Sequence, residues 1–226
     1  MIHDLLQLFY PDHCLTCERK LLNHEQELCH TCFHSLPRSH FENQHLNPVM
    51  RLFNGRVDLE EAMALYLFRP KTKVEKLIHE FKYRGNKQIA IYLGNCIGEA
   101  ILKSGRYHDV ECVVPVPLHP KKQKKRGYNQ ASLLGSGIAS CLNIPQVQKL
   151  KRVLNNESQT NKTAYQRWVN VENNFQLDEA VTFEYSKVLL VDDVVTTGST
   201  IESCVWGLNQ KQKVKVSLAS LAWAQH

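Results

Sequence analysis

The sequence predicts an α/β protein with a mostly parallel sheet flanked by helices, preceded by a small four-cysteine module. Three observations predict it. Apolar runs at 64–68, 110–114, 187–191 and 213–221 alternate with segments of helical periodicity, and such alternation is the signature of a parallel sheet. Four of the eight cysteines fall near the amino terminus as C-x2-C-x11-C-x2-C. The run LLVDDVVTTGST at 189–200 reads as a buried strand, two acids, a loop of small residues and then a helix carrying Ile201, Val205 and Leu208 at helical spacing.

Taken in order, Cys14, Cys17, Cys29 and Cys32 come first. Two C-x-x-C pairs place four thiolates around one tetrahedral zinc, each pair forming a tight knuckle. Four cysteines without an open position make the metal structural, and it supplies folding energy to a segment too short for a core of its own. His13, His30 and His34 lie nearby and are expected at the surface. The other cysteines, Cys96, Cys112, Cys141 and Cys204, sit among apolar residues and read as small buried hydrophobes. The zinc-binding module is assigned to residues 1–36. Residues 37–60 are polar and irregular and read as a linker packing on the core; residues 61–226 form the main domain.

In the main domain, residues 64–68 read as a strand. Residues 71–81 read as a helix with Val74, Leu77, Ile78 and Phe81 on one face. KYRGN at 82–86 makes a basic turn, and 89–102 a second helix. Val110 to Val114 is a short strand stopped by Pro115. The basic loop that follows holds five bases in the six residues 121–126. RGYNQ then leads into a helix with Leu133, Leu134, Ile138 and Leu142. Residues 149–175 are long, polar and weakly patterned, as functional loops often are. The chain closes with two strands around one helix.

The 189–200 run carries the chemistry. In open α/β sheets, ligands sit outside the carboxyl ends of the strands. Asp192 and Asp193 fall at such an end, where carboxylates accept hydrogen bonds from paired ribose hydroxyls. Thr196, Thr197, Gly198, Ser199 and Thr200 wrap backbone N–H groups around a phosphate, and Gly198 permits a backbone conformation that other residues resist. The helix start near Ser199 adds free N–H groups and a positive dipole end. Acids for hydroxyls and amides for phosphate describe a ribose 5-phosphate.

V-L-L-V-D-D-V-x-T-T-G-x-T is similar to the phosphoribosyl pyrophosphate (PRPP) motif of type I phosphoribosyltransferases. With PVPLHPKKQKKRGYNQA and the spaced Arg152…Gln159…Arg167-x-x-Asn170…Phe175 pattern, nearly the whole chain resembles the ComF/GntX group. That resemblance implies a phosphoribosyltransferase-like fold, an amino-terminal zinc module, and a role in DNA uptake during bacterial transformation. It also implies PRPP with Mg²⁺, the ion bound mainly through diphosphate and water. The loop after Val114 takes the diphosphate-loop position and residues 149–175 that of a flexible lid. Arg126, Arg152 and Arg167 are candidates for anion contacts, since guanidinium matches phosphate geometry, and Arg84 is a further one. No catalytic residue is assigned. Two readings stand beside each other: transfer of phosphoribose to an unidentified acceptor, or a non-catalytic uptake factor that keeps a PRPP pocket. The second binds single-stranded DNA through basic loops with Tyr128, Tyr165 and Trp168, or docks an uptake helicase as an adaptor. The sequence stops at His226, just after the last predicted core strand. An acceptor-recognising hood is therefore expected from residues 1–60 or from a partner chain. No segment resembles a purine or pyrimidine pocket, so a conventional nucleobase-salvage role is disfavoured.

Composition is consistent with this. Of 226 residues, 43% are hydrophobic and 22% charged, and the net charge of +6 favours anionic ligands. No apolar run reaches the roughly 20 residues that cross a bilayer, and the amino terminus lacks a basic start. A cytoplasmic location is expected, and there paired cysteines bind metal more often than they form disulfides.

Overall fold

The computed structural model describes residues 12–152, 175–177 and 184–224. Four parallel strands form the central sheet: β1 (Ala62–Phe68), β2 (Cys112–Pro115), β5 (Lys187–Val195) and β6 (Lys215–Ala224), in the order β1-β6-β5-β2. Their residues are apolar almost without alternation, as in a sheet covered on both faces; Ala62 to Leu65, Val113, Val114 and Val188 to Val191 are buried. Beyond β2, Val113 bridges Gln146 in parallel, so residues 145–147 add one further rung to the edge. β3 (Leu150–Arg152) and β4 (Phe175–Leu177) form a separate antiparallel pair.

The helices are α1 (His30–His34), α2 (Pro48–Leu52), α3 (Lys73–Tyr83), α4 (Lys87–Ser104), α5 (Pro120–Arg126), α6 (Gln130–Leu142) and α7 (Ser199–Asn209). α4 and α6 pack tightly on each other through glycine. A Cβ at Gly94 would stand 2.2 Å from the Leu134 carbonyl oxygen, and one at Gly137 would stand 2.3 Å from that of Ile91. Any side chain there forces the helices apart. α7 instead packs on the β3–β4 pair, where a Cβ at Gly207 would meet the Phe175 carbonyl oxygen at 2.6 Å. With right-handed crossovers, α4 and α6 cover one face and α7 the other. The chain therefore leaves β2 in one direction along the sheet and leaves β5 in the other. Their carboxyl ends form a topological switch point, the crevice where open α/β sheets bind ligands.

The expected elements are present, with boundaries that move for physical reasons. β5 runs through Val195 because β6 continues beside it, pairing Asp192 with Ser220 and Val195 with Trp223; the acid pair lies inside the strand and not just beyond it. The basic stretch expected as a loop is helical over Pro120–Arg126. Pro120 suits a first turn, the His119 ring accepts from the Lys121 N–H at 3.2 Å, and Gly127 ends the helix at φ 80°. The polar stretch 37–60 carries α2 and a 3-10 turn, Phe41–Asn43, and buries Val49 and Phe53 fully. Most of the expected lid, 153–174, lies outside the described residues. No helix among the described residues is long and apolar enough to cross a membrane.

Candidate functional site

The acid pair stands on the central strand where its β2-side neighbour has ended. Pro115 is paired with Val191, and the last ladder bond on that side runs from the Val116 N–H to the Val191 carbonyl at 2.9 Å. Asp192 and Asp193 therefore face the switch point. The Asp193 N–H donates to Asp192 Oδ1 at 2.8 Å. Burial pushes the Asp192 carboxyl up to about 7, and the neighbouring Asp193 charge adds to this; Lys82 and the Asp193 N–H counter it only in part.

Asp193 has a cation of its own. Lys82 Nζ donates to Asp193 Oδ1 at 2.8 Å, with both side chains largely shielded from water. Sequence reading placed Lys82 only in a basic turn. Its position in the last turn of α3 brings it across to β5, and no local pattern announces that contact. The turn is held by the next loop: Tyr128 Oη donates to the Phe81 carbonyl at 2.5 Å, and the Arg126 guanidinium lies 5.2 Å from the Tyr83 ring centroid. Tyr128 is thus committed to packing and to this bond.

After Val195 the chain enters the loop at 196–198. Gly198 adopts φ 77° at the N-cap of α7, and no side chain caps that terminus among the described residues. The first-turn N–H groups are thereby left without side-chain partners. Thr196, Thr197, Ser199 and Thr200 are exposed around them. Thr197 and Ser199 hydroxyls lie 3.2 Å apart.

The arginine candidates are more dispersed. Arg126 donates to Gln130 Oε1 at 2.8 Å, beside the Lys82 turn. Arg84 pairs with buried Glu80 at 3.0 Å. Arg152 stacks 5.3 Å from the Phe175 ring, on β3. Arg167 lies outside the described residues. Lys121, Lys122, Lys124 and Lys125 ride on α5, which buries none of its residues.

The four cysteines do converge. The Cys14, Cys17, Cys29 and Cys32 sulfurs all lie within 4.8 Å of one another, and they form the only such group among the described residues. Cys17 and Cys29 sulfurs are 3.8 Å apart, close to the ~3.8 Å edge of a tetrahedron with metal–sulfur bonds of about 2.3 Å. The donor set fits a thiolate-loving metal. Cys29 also caps α1, with its Sγ 3.4 Å from the Cys32 N–H. The knuckles dock on α3: Lys76 Nζ donates to the Thr16 carbonyl at 3.1 Å and Lys73 Nζ to Ser35 Oγ at 2.7 Å. Cys96, Cys112 and Cys204 are buried, and desolvation pushes their thiols up, to about 11 for Cys96 and about 12 for Cys112.

A parallel sheet with an acid pair and, among the described residues, an uncapped helix start at its switch point defines an open α/β protein with a ligand crevice at the carboxyl ends of β2 and β5. No protein-family model matches the chain. Among curated proteins it is 36% identical over 150 residues to Competence protein F of Haemophilus influenzae, covering 58% of this chain and 66% of that one. It is 29% identical over 217 residues to Competence protein ComFC of Bacillus subtilis, covering 92% and 83%. The chain is a homologue of these competence proteins, the group its motifs indicate. Among solved structures, the glutamine PRPP amidotransferase of B. subtilis in complex with ADP and GMP matches with TM-score 0.43 and 17% identity, over 63% of this chain and 30% of that one.

The raised Asp192 carboxyl has a measurable consequence. In the unfolded chain it titrates near 3.8 and in the fold at about 7. The fold therefore favours the proton, and this contribution is complete below the unfolded value and lost as pH rises through 7. Asp192→Asn cannot ionise. Urea unfolding is expected to show the variant gaining on the parent between pH 4 and 7, and parallel profiles would contradict the assignment.

Proposed function

We propose that this chain binds PRPP at the carboxyl ends of β2 and β5 and transfers its phosphoribosyl group to an acceptor, in the competence role that its relatives are named for. One observation carries the reading: two adjacent carboxylates on the central strand lead directly into a loop and helix start whose N–H groups have no side-chain cap among the described residues. Asp192 and Asp193 accept from the ribose hydroxyls. The amides of 197–200 take the 5-phosphate, helped by the positive end of α7. Lys82 keeps the acid pair from carrying its full negative charge beside an anionic substrate.

In the transfer, the bond from ribose C1 to the diphosphate oxygen breaks. Its electron pair leaves with the diphosphate, and the acceptor's lone pair forms the new bond to C1. Catalysis of this kind rests on positioning and on charge stabilisation of the leaving group. Arg126, beside the Lys82 turn, is the described guanidinium best placed by sequence order to serve that charge. Mg²⁺ would come with the diphosphate and neutralise part of its charge. Zinc in the four-cysteine site is structural in this reading.

The test is a PRPP titration with Mg²⁺, followed by diphosphate detection in the presence of nucleobases and single-stranded DNA as acceptors. Binding with diphosphate release above blank is the expected result. Absence of PRPP binding would overturn the reading. Binding without release would favour a non-catalytic role, in which the exposed bases of α5 hold single-stranded DNA.

A further inference from the structure

We infer that Arg56 is a positioning residue that sets the shape of the 196–200 loop from outside the pocket, so that the stretch read as a linker is part of the phosphate-binding apparatus. The claim about shape stands on geometry alone; its consequence for ligand rests on the reading above.

The stretch is rigidly seated. Asn47 is fully buried, and its Nδ2 donates to the carbonyls of Gln44 at 2.8 Å and Ala62 at 2.7 Å. Its Oδ1 accepts the Met50 N–H at 3.0 Å, which caps α2. α2 is thereby fixed to the start of β1. Its far end presses on the loop: a Cβ at Gly198 would lie 2.7 Å from Phe53 Cε1 and 3.2 Å from Leu52 Cδ2. Gly198 is required there twice over, by this contact and by its φ of 77°.

Arg56 completes the contact in two directions. Nη1 donates to the Thr197 carbonyl at 2.7 Å. Nε donates to Glu202 Oε2 at 3.1 Å, and Nη2 bonds the same oxygen. The first bond orients a peptide. In a trans peptide the C=O and the following N–H point in opposite directions, so holding the Thr197 carbonyl toward Arg56 turns the Gly198 N–H away from it, to the other side of the loop. The second bond removes an electrostatic conflict. Glu202 sits in the first turn of α7, where a carboxylate occupies the positive dipole end that an anionic ligand would use. Paired with Arg56, that charge is cancelled. Only a guanidinium reaches a carboxylate and a carbonyl at once with fixed geometry; a lysine ammonium offers no such fork.

The experiment compares Arg56→Ala, Arg56→Lys, Glu202→Gln and the double variant Arg56→Ala/Glu202→Gln in the full, metal-loaded chain. Two readouts are taken: amide hydrogen exchange of residues 196–201 without ligand, and ribose 5-phosphate affinity by calorimetry. Arg56→Ala and the double variant are expected to exchange faster in this segment; the double variant should bind about tenfold more weakly, the scale of one charge-assisted hydrogen bond, and Arg56→Ala more weakly still, because it leaves the Glu202 charge uncancelled. Arg56→Lys should not rescue either readout. Glu202→Gln keeps a partner for Arg56 and should hold parent-like protection, with affinity unchanged or tighter, even if its melting temperature falls. A double variant with parent-like exchange would overturn the inference, and so would an Arg56→Ala protein that binds as Glu202→Gln does. If the parent chain itself fails to bind ribose 5-phosphate, the phosphate reading falls, and the exchange measurement still decides the role of Arg56.

Discussion

Replacing Asp192 and Asp193 together by Ala is expected to abolish the rise in melting temperature that PRPP with Mg²⁺ gives the parent chain. At a ligand concentration a hundred times the dissociation constant, binding adds about 2.7 kcal/mol to stability. For a chain of this length that corresponds to roughly 5–10 °C, well within reach of a thermal-shift measurement. The reason for a complete loss is structural. Both carboxylates stand on β5 just beyond the point where its neighbour β2 ends, at the switch point, and Asp193 is the partner of Lys82. Without the acids, Lys82 is left as an uncompensated cation and the ribose hydroxyls have no strong acceptors. The unliganded variant should still fold, because the Asp192 carboxyl is held at about 7 by burial and by its neighbour's charge; removing it relieves desolvation at least as much as it loses contacts. A variant with the parent's full shift would sink the ribose assignment.

How much of this site is legible in the sequence follows from the range of the contacts. The strand, acid pair, glycine and helix of 187–209 are consecutive in the chain, so their order alone reads out the geometry. The four cysteines are legible for the same reason, since metal spacing is a local property. Lys82 and Arg56 are not. Lys82 meets Asp193 across 111 positions, and Arg56 meets Thr197 and Glu202 across 141 and 146. Those meetings depend on strand order and on where α2 is seated, which no window of residues encodes. The polar appearance of 37–60 conceals the same information. Asn47 reads as a loop residue, yet it is buried because its amide satisfies the carbonyls of Phe41 and Gln44 at the 3-10 turn and of Ala62 on β1. The α5 helix escapes notice because its run of lysines has no apolar stripe; Pro120 and Gly127 mark its ends, and a cap of the His119 type is outside the usual set.

Removing the metal from the four-cysteine site should have the other large effect. The expected content is about one zinc ion per chain. Cys29→Ser, or chelation, is expected to eliminate it and unfold the segment around Cys14 to Cys32 while the parallel sheet stays folded. The apparent free energy that zinc gives such a module is on the order of 10–16 kcal/mol, and the segment has little to replace it. Three of its buried residues are the ligands themselves, Cys14, Cys29 and Cys32, and the cap of α1 is a ligand sulfur. Losing the metal therefore removes a core and a helix cap together. The damage should also reach α3, because Lys73 and Lys76 hold Ser35 and Thr16 of the knuckles. The opposite end of that helix carries Lys82. Limited proteolysis should therefore cut first between residues 14 and 36 in the metal-free protein, with the central sheet resistant. The PRPP-induced shift should shrink but persist, since Asp192, Asp193 and the 196–200 loop belong to β5 and α7 and none of the four metal-site cysteines lies on those elements. Carefully purified protein without metal, or a Cys29→Ser variant that retains the parent stoichiometry, would refute the zinc assignment.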